Sequence, residues 1–454
     1  MSCAKIFENK SRGWIFLNGN LRSETDLISL FGEQIMNPKT FVPELNRTCK
    51  ILMVTAAFEK GHEHKEKHII EIFSRLGINP VWQNGYPTNI QNLSIYTMFE
   101  EFQQKEKWVY RRYTEKQDQI QAIKRDYFLK NRKYVDQVHW LVRQLKKTYP
   151  SLGLFDFFKS NEYKDDPRIL LTGLDKKSKE NKKLNMDKLL SSESSLKLVR
   201  DLMATISHIE YKDQEIWAIT QFIEKHFLQE SGVTNLSLYK EQREELKNRI
   251  VSSASIFLFG GRVYVLVNRL RFYQVGDFFH EALDQGTNIY GVSAGTLCQT
   301  DQFSMNFEKY FEGGYLRAED SGMGLVNGLS IFPHANDYQY IRNADKDTLS
   351  FFAIRHPNRV VVGLNEKSVL LYEHHKNPKT GEVFRRISSQ GKEPVLIFGE
   401  RGKKIEMKKN SQILTSGTKF YKGVNQYVTQ DEIEKMEKSE EKPLVEQAQN
   451  QESE

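Results

Sequence analysis

Cysteine is scarce: three residues in 454, at Cys3, Cys49 and Cys298. An odd and scattered set builds no disulfide framework, and no Cys-x-x-Cys spacing offers a metal site. A reducing compartment, the cytoplasm, is therefore expected. Long apolar runs are missing as well. The longest, 51–58 and 255–260, have the length of strands and fall far short of a bilayer span. Residues 1–13 lack the apolar segment of a secretion signal, so export by that route is not expected. Nor does one sign of charge dominate. Lys and Arg number 66 against 59 Asp and Glu, and the net +7 is too small at this length to argue for nucleic acid or an acidic membrane. No internal repeat is visible. What remains is a globular composition, 39% hydrophobic and 12% aromatic, long enough for one large domain with an insertion or for two to three domains.

Two kinds of pattern fill the chain. Residues 14–18, 50–57 and 78–82 are short apolar runs, each read as a strand. An unbroken run such as 50–57 suits a parallel strand covered on both faces. Amphipathic stretches, 24–33 and 65–76, separate the runs; in the second, Ile69, Ile70, Ile72, Phe73 and Leu76 share a helical face and Gly77 stands at its end. This alternation predicts an α/β fold with a doubly wound, mostly parallel sheet. The rhythm stops near Asn92, and from 95 no strong strand signal recurs. From there to 251 apolar residues recur at three and four, among them Tyr127, Phe128, Tyr134, Val138, Leu141 and Leu145. One or two long helices are expected over 95–149, a charged mobile loop at 175–183, and further helices near 185–206, 213–229 and 236–251. Nearly all of the positive excess lies in this block, which reads as a large all-α insertion.

After 252 the α/β pattern resumes. Strands are expected at 255–259, 287–292, 359–364, 368–373, 394–399 and 404–408, with a glycine-punctuated approach to another at 322–332. Helical stretches fall at 263–284 and 345–355, and a hairpin-type turn at 378–381. The expected division is 14–94 and 252–425 for the two parts of the α/β domain, 95–251 for the insertion, and 426–454 for a charged, solvated tail.

Chemistry concentrates at Gly291-Val-Ser293-Ala-Gly295, where the strand 287–292 runs into a helix. A glycine two residues to either side of a serine permits a sharp turn that lifts the hydroxyl off the sheet edge, with the next N–H free to face an oxyanion. An ordinary strand-to-helix turn can carry the same glycines, so context decides. A serine nucleophile needs a base and a group to orient that base. His334, in Phe332-Pro-His-Ala-Asn-Asp337, supplies the first; Asp301 or Glu308, between serine and histidine, supplies the second.

The ordered set of motifs is more specific than the elbow alone. Phe73-Ser-Arg-Leu-Gly77 ends the second helix, Gly260-Gly261 follows the strand 256–259, and Gly286-Thr-Asn-Ile-Tyr leads to the elbow. Gly322-Met-Gly-Leu leads to Pro333-His334, and Val361-Val-Gly-Leu-Asn-Glu366 closes the sheet. Together, over about 14–82 and 252–420, they resemble the peptidase E and cyanophycinase family of serine peptidases, whose fold is that of class I glutamine amidotransferases. The resemblance implies cleavage of aspartyl or isoaspartyl peptide bonds without metal or cofactor. It makes Ser293 the nucleophile, His334 the base and Asp301 the acid, with Glu308 as the alternative. The oxyanion donors map onto Gly261, supported by Gly260, and the N–H of Ala294. Two positions depart from the family pattern. Arg262-Val263 stand where it has a polar pair, and Ala335 stands where it has an aromatic or polar residue. Arg262 is a candidate for binding a substrate carboxylate. The same departures leave open a homologue without turnover that binds a protein partner through its helical block.

Other readings are weaker. An α/β-hydrolase places its acid on a later strand, and the interval from Ser293 to His334 is too short for the intervening units. An amidotransferase needs cysteine at the elbow; Cys298 lies a helical turn beyond it and reads as core. His62, His64 and His68 have metal-like spacing but sit among Lys and Glu, as in a hydrated helix start, and His374-His375 read as surface. Lys107-Trp-Val-Tyr-Arg-Arg-Tyr113 mixes bases and aromatics, yet the block has nearly as many acids, so an amphipathic bundle is expected rather than a nucleic-acid surface.

Overall fold

The computed structural model describes residues 13–19, 31, 49–56, 63–75, 78, 81–83, 86–87, 89–149, 192–304, 319–335, 349, 352–353, 355–356, 359–376, 383–398, 404–408, 412–416 and 419–421. In chain order the first part holds β1 (Ile15–Asn18), β2 (Cys49–Val54), α1 (Glu63–Arg75), a two-residue pair β3 (Trp82–Gln83) and β4 (Tyr86–Pro87), and β5 (Ile90–Asn92). Four helices follow: α2 (Ile95–Lys105), α3 (Lys107–Thr148), α4 (Glu193–Glu230) and α5 (Ser237–Val251). Then come β6 (Ser253–Leu258), α6 (Val263–Phe272), α7 (Gly276–Asp284), β7 (Asn288–Val292), α8 (Ala294–Leu297), the short β8 (Phe303–Ser304) and β9 (Glu319–Asp320), and β10 (Leu329–Pro333). The chain closes with β11 (Val360–Leu364), β12 (Val369–Lys376), β13 (Val383–Ser389), β14 (Val395–Phe398), β15 (Lys404–Met407), β16 (Gln412–Ser416) and β17 (Lys419–Tyr421).

The main sheet runs β17-β16-β13-β12-β1-β7-β6-β2-β5. Its half from β5 to β1 is parallel, and from β12 outward every pairing is antiparallel. Strands β1, β6 and β7 are buried along their whole length, which explains why they read as unbroken apolar runs. The pleat splits their side chains between two layers. On one face Phe16 and Phe257 stack on Tyr290 at 4.7 and 4.4 Å, with Phe31 edge-on to Tyr290. On the other, Ile15, Leu17, Ile256, Leu258 and Ile289 join α6 and α7 in the largest core. The fold is thus α/β with a mostly parallel central region and a large helical insertion.

Several sequence expectations need correction. The run 78–82 adds no strand to the sheet. Trp82–Gln83 turns back on Tyr86–Pro87, and the sheet edge is instead β5, paired with β2. Pro80 lacks the N–H that a sheet strand needs, and strands avoid it. The helices expected at 185–206 and 213–229 are one, α4, of 38 residues. No Gly or Pro interrupts 207–212, and buried Ile209 and Asp213 carry the inner stripe across the expected gap. The strand before His334 does not belong to the main sheet. β10, β11, β14 and β15 form a second sheet in that order. One face of it (Leu329, Ile331, Val360, Val362) enters the main core, and the other (Phe332, Val361, Phe398) meets α3 and α4. β13, β16 and β17 were not expected as strands at all. Most of 24–33 and 345–355, and the segments 175–183, 378–381 and 426–454, lie outside the described residues.

Candidate active site

Five strand ends converge on one side of the molecule. β1, β6 and β7 are parallel neighbours in the main sheet, and β10 and β11 are parallel in the second, so their carboxyl ends present loops together. β7 delivers Ser293. Its backbone has φ 53° and ψ −113°, a conformation that side chains rarely adopt and that marks a strained turn. The glycines around it are explained by contact as well as conformation. A methyl at Gly291 would come within 2.1 Å of the Gln299 amide, and one at Gly295 within 1.9 Å of the Leu258 carbonyl oxygen on β6. The elbow is therefore wedged between two strands and its own helix.

Neighbouring groups lock it further. Ser293 N–H donates to the Asn18 carbonyl at 3.1 Å, and the Thr296 hydroxyl donates to the same oxygen at 2.9 Å. Asn18 N–H in turn donates to Thr296 Oγ1 at 3.1 Å, so β1 and α8 are tied at the point of the turn. Neither Asn18 nor Thr296 was singled out from the sequence. Asn18-Gly19 at a strand end was the available signal, and only the sheet order places it beside the serine.

β10 delivers His334, whose φ of 61° turns it off the strand. Its Nε2 lies 2.7 Å from Ser293 Oγ. The distance is that of a hydrogen bond, and it joins groups 41 residues apart on two different sheets. Beside them runs the turn after β6. A methyl at Gly260 would lie 3.3 Å from Ser293 Cβ and 3.7 Å from Ala294 N, so this backbone passes directly over the elbow. Gly261 has φ 134°, open to glycine and strained for other residues. Among the described residues, no backbone carbonyl accepts from the N–H of Ala294. Arg262 is exposed at the residue before α6. Cys298 is fully buried, donates to the Gly295 carbonyl, and burial pushes its thiol well up. It packs the core, as expected.

Asp301 does not orient His334. Its carboxylate is held from two directions by Arg359, Oδ2 at 2.9 Å and Oδ1 at 2.5 Å, and Oδ1 also accepts from Gln302 N–H. Arg359 continues to the Leu329 carbonyl and the Ser330 hydroxyl. The pair thus fastens the segment after α8 to the starts of β10 and β11, the ends remote from His334. Chain order between serine and histidine carries no information about which end of a strand an acid reaches. Glu308 lies outside the described residues. A buried acid does stand at the correct end: Glu366, two residues beyond β11. Ala335 N–H donates to the Leu364 carbonyl at 3.0 Å, and a methyl at Gly19 would meet the carbonyls of Leu364 and Asn365. The backbone leading into Glu366 therefore touches the neighbours of both His334 and the elbow. His68 pairs with Glu71 at 3.9 Å on α1, and His374 and His375 lie in β12; no metal-holding group of His, Cys, Asp or Glu occurs among the described residues.

Comparison with known proteins finds a family likeness over part of the chain. Residues 208–379, from within α4 to just beyond β12, match the profile of peptidase family S51. None of the curated proteins matches the chain. Among solved structures, a peptidase from an acI-B1 Actinobacterium aligns over 88% of this chain and 96% of its own, at 10% identity and a TM-score of 0.40. The matched stretch holds both Ser293 and His334. The match supports the likeness to peptidase E and cyanophycinase read from the motifs, and with it a peptidase-like hydrolase.

Proposed function

We propose that this chain is a serine peptidase of the peptidase E and cyanophycinase type, cleaving peptide bonds at aspartyl or isoaspartyl residues. The observation that carries the reading is the 2.7 Å approach of His334 Nε2 to Ser293 Oγ at a strained elbow. In this scheme His334 takes the Ser293 proton as the oxygen attacks the peptide carbonyl. The N–H groups of Gly261 and Ala294 receive the oxyanion, and Gly260 leaves room for it. His334 then protonates the departing amine, and a water molecule, deprotonated in the same way, releases the acyl group. Glu366 is the candidate to replace Asp301 as the acid that holds the imidazole tautomer, because it is buried and the backbone leading into it touches the neighbours of both His334 and the elbow. Arg262, exposed beside the glycine turn, is the candidate for the substrate carboxylate. No metal or cofactor enters the scheme, and the three dispersed cysteines fit a cytoplasmic protein.

One feature favours a second reading. Trp108, Tyr211 and Phe222 are each at least 60% exposed on α3 and α4, the surface that a homologue without turnover would use to bind a protein partner. The two separate in one assay. The purified protein is incubated with a fluorophosphonate probe, and separately with Asp-X and β-aspartyl dipeptides, beside Ser293→Ala. Labelling and dipeptide release that both vanish in S293A are expected. A folded protein silent toward both reagents would overturn the peptidase and leave the binding protein.

A further inference from the structure

The two halves of the candidate site sit on separate sheets, which share one core. The nucleophile and glycine turn belong to the main sheet and α6, and the base belongs to the second sheet. Something must fix the gap between them to hydrogen-bond tolerance. Helix α4 touches both. Its Asp213 is 1% exposed and receives both ends of the Arg355 guanidinium, at 2.6 and 2.7 Å. Tyr127 of α3 donates to the same carboxylate and accepts from Arg355 at 2.9 Å. Arg355 lies one turn past Phe352, which packs at 5.1 Å on Phe332, two residues before His334. One anchor of α4 is therefore on the base.

The other anchor is on the oxyanion side. Glu224 of α4 accepts from Arg271 of α6 at 3.2 Å and from Lys116 of α3 at 2.5 Å. Arg271 also holds Asp320 at 2.7 Å, and Asp320 holds Lys124 of α3 at 2.6 Å. Helix α6 begins directly after Gly261-Arg262. Asp213 and Glu224 stand eleven residues apart. At helical rise and twist that is about 16 Å along one face. The Asp213 pair is buried and the Glu224 pairs are partly buried, so removing either acid leaves charged partners poorly solvated.

We propose that α4 is a strut that sets the distance between the glycine turn and His334, with Asp213 and Glu224 as its positioning residues. It is not a lid over the site. The proposal rests on the reading of Ser293 and His334 as the reacting pair. It assigns the helical insertion a role in the site without any contact to substrate.

The test uses full-length Asp213→Asn and Glu224→Gln, with Asp126→Asn, which breaks the exposed Lys130 pair on α3, as control. Two quantities are read: the rate of Ser293 phosphonylation against pH, and the NMR titration of the His334 imidazole, assigned with His334→Gln. Displacement of a reacting group by about 1 Å costs on the order of 100-fold in rate. D213N and E224Q are therefore expected to slow labelling roughly 10- to 100-fold and to move the His334 titration, while D126N changes neither. Folded D213N and E224Q with wild-type labelling and titration would overturn the strut. Should D213N not fold, Tyr127→Phe removes one donor from the same carboxylate and is judged by the same two readouts. If the wild type itself resists the probe, the peptidase reading falls; the His334 titration in the variants then still decides the strut.

Discussion

Gly295 offers the sharpest single perturbation. Replacing it by alanine would put a methyl 1.9 Å from the Leu258 carbonyl oxygen, 2.5 Å from its carbon and 3.1 Å from its Cβ. Ordinary contact begins at 3.4 Å, so the first turn of α8 must retreat from β6 by about 1.5 Å. The obstacle is strand backbone, paired on both sides with β2 and β7, and it has little freedom to yield. Overpacking of this kind costs about 1–3 kcal/mol. The retreat carries Ser293 with it, and a displacement of about 1 Å lowers reactivity on the order of 100-fold. Gly295→Ala is thus expected to lose both stability in denaturant titration and nearly all phosphonylation of Ser293. Gly232→Ala serves as the comparison, since its φ is 69° but nothing lies within 4 Å. That variant should lose about 1–2 kcal/mol from backbone strain and label at the wild-type rate. A G295A protein with wild-type stability and labelling would refute the wedge that explains the elbow.

Other outcomes follow from the two acids and from pH. Asp301→Asn should lower stability by about 1–2 kcal/mol through Arg359 while leaving the pH profile of labelling in place; Glu366→Gln should slow labelling with little loss of stability, and the reverse pattern would restore Asp301 to the site. Burial, then the nearby Arg355 and Arg359, hold the His356 imidazole well below the ordinary histidine range. The folded protein keeps it neutral and the unfolded chain protonates it. Stability should therefore fall as pH drops below about 6.5, by up to about 1.4 kcal/mol per unit, and His356→Gln should flatten that slope in denaturant titrations between pH 7 and 5. Burial would raise the Asp320 carboxyl, but Arg271 and Lys124 outweigh it and hold it well below the usual range. Its contribution should be full above the ordinary carboxylate range and decline progressively as pH falls through and below it, so Asp320→Asn should remove stability at pH 7 as much as at pH 5.

Local features were legible in the residues. The apolar runs of β1, β2, β6 and β7, the helical spacing in α1 and the α3 stripe, and the glycine-serine-glycine turn each depend on interactions a few residues long. So did Ser293 and His334 as a candidate pair, because the motif types stand in order along the chain. The partition of strands between two sheets did not show. β10 and β11 have the same apolar character as β7, and pairing partners are set by contacts far apart in sequence. For the same reason Asp301 read as a triad acid. Its neighbours in sequence resemble an active-site context, whereas Arg359, 58 residues away, claims its carboxylate.

The sequence by itself determined the elements, the insertion and the chemistry-bearing residue types, since hydrophobic periodicity and backbone sterics act locally. Only the tertiary structure decided which strand ends meet, that Arg359 claims the Asp301 carboxylate, and that α4 reaches both the second sheet and α6. Those outcomes depend on long-range pairing and on buried charges finding partners, and a linear order of residues does not encode distance in space.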